Sequence, residues 1–195
     1  MLSDIVATPP PTTTRVGERL LATAAGLFYE RGITAVGVDL IADEAGSTKR
    51  TLYQRFGSKD GLILAYLQLR AHQWQTRVLA ALAQADAADA AEGVEVVFGT
   101  AAQWAAEARR GCAFVNAWAE LGPAHGQASA VIQAEKEWML RLFTALVADR
   151  ERATDVYLIY EGAQMAASVL DDPSLWERAA RTAAGLVRRP RAPSR

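Results

Sequence analysis

Helical periodicity dominates this sequence: apolar residues recur at three- and four-residue intervals, and no stretch shows the strict alternation of a half-buried strand. That pattern predicts an all-α fold of about nine helices. The first spans about 16–31, with Leu20, Leu21, Ala24, Leu27 and Phe28 on one face and Gly32 where a left-handed residue closes a helix. A short helix opens at Gly37–Val38 and runs to Ala45, where Gly46 stops it. Ser47 or Thr48 can cap the next, Lys49 to about Arg55, by accepting from an exposed first-turn N–H. Ser58 can cap a long helix from Lys59 to about Ala83. After an acidic loop, 85–92, four more helices are predicted at 93–109, 112–121, 124–149 and 154–170. Asp172–Pro173 starts a last one, ending near Val187 before Pro190 and Pro193.

The chain has 195 residues, 51% hydrophobic and 22% charged, which suits a globular protein and leaves no apolar run near the ~20 residues of a bilayer span. Thr8–Thr14, rich in Pro and Thr, reads as a disordered arm. A single cysteine, Cys112, allows no internal disulfide, so a reducing cytoplasm is the expected compartment. Net charge is −1, so a claim of nucleic-acid binding must rest on a local patch. Gly46–Lys59 supplies one, with Lys49, Arg50, Arg55 and Lys59 and no acid. The tail is basic as well, with Arg178, Arg181, Arg188, Arg189, Arg191 and Arg195.

Two short helices joined by a Gly-containing turn, with an earlier helix to pack against, form the helix-turn-helix pattern. The second helix of that motif enters the major groove. Leu52 and Phe56, four apart, share its inward face. Thr48, Lys49, Arg50, Thr51, Tyr53, Gln54 and Arg55 are left as outward donors: hydroxyls suit phosphate oxygens, and Lys49, Arg50 and Gln54 suit base edges. Lys59, at a helix start, suits another phosphate.

At these residues the chain resembles the tetracycline-repressor (TetR) family. The run from Ile33 to Leu62 carries Ile41-Ala42, Ala45-Gly46, Thr51-Leu52-Tyr53, Phe56 and Ser58-Lys59…Leu62 in the family's residues and spacing. Ser47 stands where an aliphatic residue is usual, and Arg50 where a small one is. The resemblance implies phosphate contacts at Thr51, Tyr53 and Lys59, base or backbone contacts at Lys49, Arg50, Gln54 and Arg55, a ligand pocket between the fourth helix and the helices after it, and a two-fold dimer.

All five tryptophans lie beyond Arg70, with Phe98, Phe114, Phe143, Tyr157 and Tyr160. Apolar walls with a few polar groups are how helix bundles hold small ligands. The candidate lining is therefore Trp74, Trp104, Phe114, Asn116 and Trp118, with Trp138, Tyr157, Glu161 and Gln164. Cys112, beside Arg109 and Arg110, fits either a redox or electrophile sensor or a packing thiol, and the packing role is adopted as the commoner one. Small residues line the last two helices: Gly162, Ala163, Ala166 and Ala167, then Ala180, Ala183 and Ala184. With Leu170, Trp176 and Val187 they form the expected dimer interface.

The expected organisation is an arm at 1–14, a helix-turn-helix domain at 15–60, a ligand-binding and dimerisation domain at 61–188 and a basic tail at 189–195. The expected partners are a double-stranded DNA operator, an unidentified small-molecule effector and a second copy of the chain, with no membrane. His72 and His125 stand in no metal or nucleophile motif and no Gly-rich phosphate loop occurs, so no metal, no cofactor and no catalysis are expected. The rival reading is a helical small-molecule-binding or scaffold protein with a vestigial DNA-binding head.

Overall fold

The computed structural model describes residues 2–107 and 110–189. Arg109, Pro190, Arg191, Pro193 and Arg195, all used above, lie outside the described residues. Among those described, the elements after a short 3-10 turn are α1 (Arg15–Arg31), α2 (Val38–Glu44), α3 (Lys49–Phe56), α4 (Lys59–Ala85) and α5 (Ala90–Glu107), then α6 (Ala113–Leu121), α7 (Gly126–Val147), α8 (Arg150–Val169) and α9 (Ser174–Arg188). They contain no strand. Two compact units result. One joins Ala7–Trp74 to Cys112–Glu135, and the other holds the remaining described residues of α4, α5 and α7–α9.

In the first unit each short helix is stopped and started by local chemistry. The Thr14 hydroxyl accepts from Gly17 N–H (3.3 Å) to open α1, and Gly32, at φ +90, closes it with its N–H on the Phe28 carbonyl (3.1 Å). Gly46 and Gly57, at φ +57 and +74, turn the chain after α2 and α3. Thr48 caps α3, its hydroxyl accepting from Thr51 N–H at 3.1 Å. Ser58 does the same for α4 through Gly61 N–H at 3.0 Å. The core beneath takes Leu20 and Ala24 from α1, Ile41 from α2, Leu52 from α3 and Leu62 and Leu67 from α4, all at 0% exposure. Phe28 meets Tyr66 edge to face, ring centroids 5.6 Å apart. Ala113, Phe114 and Ala117 of α6 and Ala128 and Ile132 of α7 close the same core. The division expected at residue 60 is therefore not where this packing separates: α6 and the start of α7 belong with the helix-turn-helix.

The second unit is built around Phe98, Phe143, Tyr160 and Trp176, with centroids of 5.6 Å for Phe98–Tyr160 and Phe143–Tyr160 and 5.7 Å for Tyr160–Trp176. Here α9 packs on α5 and α8. The start of α8 differs from the sequence expectation. Asp149 accepts from Glu151 and Arg152 N–H groups (3.1 and 3.3 Å), so residues 150–153, left between the helices expected at 124–149 and 154–170, form the first turn of α8. Arg152 in turn donates to the carbonyls of Val187 and Arg189 at the end of α9 (3.3 and 2.7 Å), where a cation satisfies unpaired carbonyls. The segment expected as a disordered arm is anchored too. Trp138 Nε1 donates to Val6 O, and His72 Nδ1 to Thr8 O, both at 2.8 Å.

Gly61 permits the α3–α4 corner: a Cβ there would collide with the Phe56 carbonyl oxygen. Because that atom is backbone, no rotamer change relieves the clash. Gly61→Ala is expected to destabilise the protein by about 2 kcal/mol or more, measured by urea denaturation. A loss below about 0.5 kcal/mol would show that the corner can relax.

Candidate nucleic-acid interface

An eight-residue helix cannot hold its shape alone in water, so α3 is positioned by what it buries and by its caps. Leu52 is fully buried and Phe56 packs partly against the same core. This fixes the rotation of α3. Lys49 and Tyr53 then share one outward row, Arg50 and Gln54 the next, and all four, with Arg55, are exposed. Thr48 is exposed and Thr51 half-buried, their hydroxyls 2.9 Å apart. Lys59 is half-buried in the first turn of α4. The eight candidate residues for DNA contact thus come together on α3 and its two flanks.

Their electrostatics are uneven. Lys49 Nζ donates to Asp39 Oδ2 at 3.1 Å, and this bond raises the lysine above its ordinary pKa. Among the described residues, Arg50, Arg55 and Lys59 carry no ion pair. A helix-turn-helix with an exposed row of cations, amide and hydroxyls on its second helix defines a DNA-binding regulator.

Comparison with known proteins gives the same answer. A sequence profile described as "Bacterial regulatory proteins, tetR family" matches residues 20–66. A TetR-family transcriptional regulator from Streptomyces coelicolor is 34% identical with a TM-score of 0.80, over 89% of this chain and 94% of that one. The chain belongs to the TetR family of bacterial transcriptional regulators, and it is not an enzyme. Two curated relatives match over the head region. The transcriptional activator FasR of Mycolicibacterium smegmatis is 50% identical over 58 residues, 30% of this chain, and the transcriptional repressor KstR2 of Rhodococcus jostii is 46% identical over 61 residues, 29% of this chain. The matched segments cover 26% and 30% of the length of those relatives.

The residues expected to line one ligand pocket are divided between the two units. Phe114 is buried in the core of the helix-turn-helix unit, and Trp118 packs against that core. Trp74 and Asn116 belong to the same unit. Asn116 lines a small cleft with Phe28, Tyr29, Ile33, Tyr66 and Glu120, with a volume of ≈ 10 Å³, room for about one water. That is far below the ~300 Å³ at which most ligand pockets begin. Burial pushes the Tyr66 hydroxyl up to about 12, so it stays a neutral donor. In the other unit Trp138 is buried, Glu161 is neutralised by Lys136 at 2.7 Å, and Trp104, Tyr157 and Gln164 are half-buried, with Arg77 stacked 5.1 Å from the Trp104 ring. Cys112 is half-buried at the start of α6 and packs against the core. Among the described residues no cluster of His, Cys, Asp and Glu suits a metal ion, and no helix is long and apolar enough to cross a membrane.

The expected dimer face needs a correction. Ala163, Ala167, Trp176, Ala183 and Ala184 are 0–8% exposed within one chain, so they have no surface to give a second copy. Ala166, Ala180 and Val187 are half-buried, and Gly162 is exposed. The open apolar residues are Leu158 (61%), Met165 (52%), Val169 (72%) and Leu170 (68%). Leu158, Gly162, Met165 and Val169 recur at intervals of four, three and four, so one stripe runs down α8. The stripe was readable as periodicity, but the small residues beside it gave the stronger signal.

Sequence reasoning also missed the partner of Glu120. From the last turn of α6 its carboxylate accepts from Thr34 N–H at 2.8 Å, across 86 residues of chain. It lies 3.0 Å from where a Cβ on Gly32 would sit. No local pattern announces such a bond. Glu120→Ala is expected to cost about 1 kcal/mol of stability, and Glu120→Gln, which keeps an acceptor, less than half of that. Amide exchange at Thr34 should accelerate in the alanine variant; unchanged exchange would count against the bond.

Proposed function

We propose that this protein is a dimeric repressor that a small-molecule effector releases from its operator. The observation that carries the DNA-reading part is the exposed row Lys49, Arg50, Tyr53, Gln54 and Arg55 on a helix whose rotation is set by buried Leu52. In this reading Thr51, Tyr53 and Lys59 hold phosphates, and Arg50 and Gln54 reach base edges. The relatives' own names include one activator and one repressor, so the sign of regulation belongs to this proposal and not to the likeness.

For effector sensing, the supporting feature is α6. It is packed into the helix-turn-helix unit and bonded to the α1–α2 turn through Glu120. A molecule that displaced α6 or the head-proximal part of α4 would move the turn that seats α2. Asn116, half-buried on α6 within that same unit, is the proposed effector contact. An effector acts only through unequal affinity for the two states; a difference of ~1–3 kcal/mol suffices for regulation.

Dimerisation is assigned to the α8 stripe, Leu158, Gly162, Met165 and Val169. An apolar helix face of this kind is self-complementary about a two-fold axis. The dimer then offers two copies of α3 to successive major grooves, about 34–36 Å apart or a multiple of it. Met165→Glu is expected to convert the protein to monomer in light scattering at micromolar concentration while its helical content is retained. A dimer of unchanged stability would place the interface elsewhere.

DNA binding is tested by fluorescence anisotropy against an operator that the protein selects from a random duplex library. Tight binding should weaken steeply with salt. Lys59→Ala should flatten the log–log salt slope by about 0.9, as expected for one phosphate contact. Arg50→Ala should cost ~1–3 kcal/mol and relax preference at one base position. Failure to enrich any sequence would leave the scaffold reading in place of the repressor.

A further inference from the structure

Lys49 is the first residue of α3, where the positive end of the helix dipole disfavours a cation. Its compensation is Asp39, ten residues earlier in the first turn of α2, with Oδ2 3.1 Å from Nζ. The carboxylate thus stands beside the reading row of a protein whose partner is a polyanion. Both side chains are open to water, 49% for Lys49 and 72% for Asp39, so the pair is exchangeable and not locked. Arg50, Arg55 and Lys59, without ion pairs among the described residues, are free to neutralise phosphates.

We infer that Asp39 is a specificity-determining residue: it keeps Lys49 occupied on random DNA and releases it only where the operator offers Lys49 a better acceptor. Binding to arbitrary DNA is driven by counterions released as lysines and arginines neutralise phosphates. A lysine already balanced by its own acid contributes little to that term. Moving it to a phosphate would strand the Asp39 carboxylate against the backbone. An operator base that presents a directed acceptor, such as the O6 and N7 of a guanine, can repay the exchange. Asp39 therefore lowers affinity for the many wrong sites more than for the right one. Discrimination of this kind comes from a built-in penalty as much as from an attraction.

The inference rests on the DNA-binding reading, and the experiment separates the two. Wild type, Asp39→Asn, Lys49→Ala and the double variant are titrated across a salt series. One duplex is of mixed sequence; the other is the operator selected by the wild type. Asp39→Asn should bind the mixed duplex several-fold tighter, with a salt slope steeper by about 0.9, and show a smaller operator-to-mixed ratio. Lys49→Ala, which leaves Asp39 unbalanced beside the backbone, should weaken mixed-duplex binding and weaken operator binding by a larger factor. Adding Lys49→Ala to Asp39→Asn should return the mixed-duplex affinity and slope to wild type. The inference is overturned if Asp39→Asn leaves mixed-duplex affinity and slope unchanged, or if Lys49→Ala weakens both duplexes equally. If the wild type binds neither duplex, the DNA reading falls and this inference with it.

Discussion

The burial of Leu52 is the contact on which the reading surface depends. With α3 only eight residues long and otherwise polar, Leu52, supported by Phe56, supplies the apolar anchorage that α3 has against α1 and α2. Hydrophobic burial has no direction of its own, but a helix anchored by one row presents its remaining rows at fixed angles. The positions of Lys49, Arg50, Tyr53 and Gln54 are consequences of that anchorage. The Thr48 and Ser58 caps and the glycines at 46, 57 and 61 serve it, since they let three helices meet at short corners with a first-turn N–H of α3 and of α4 each capped.

Packing also decides where a regulatory signal can enter. The unit that reads DNA includes Phe114 and Ala117 of α6 and Ile132 of α7. Close-packed interiors transmit displacement because they cannot deform smoothly. The Thr34 N–H bond to Glu120 adds a directional constraint to this packing, beside a glycine held at φ +90, a conformation that side chains disfavour. A proposed effector thus has a route to the head through α6 as well as along α4.

What the sequence revealed and what it hid divide by range. The helix-turn-helix was legible because its determinants are local: a cap, a left-handed glycine and a four-residue apolar spacing all lie within a few residues of what they control. The partner of each helical face was not legible. Ala163 and Ala167 looked like an interface because small residues permit close approach, but they are buried within their own unit, where α8 packs on α9. The aromatic residues misled in the same way. Phe114 and Trp118 resemble pocket lining in one dimension, whereas in three they help close the head. Asp39 lay between these cases, since the distance from α2's first turn to α3's first turn follows from the motif.

Net charge sharpens the significance of that last pair. At −1 overall, the protein gains little from long-range attraction to a polyanion, so its preference for DNA must arise within a Debye length, about 10 Å in ordinary salt, of α3. In so small a zone each charge counts. Four cations lie between Lys49 and Lys59, and one acid withdraws one of them. A strongly basic head would bind every sequence well and leave base contacts little to add. A head whose attraction is partly cancelled leaves most of its affinity to be supplied by the bases it reads.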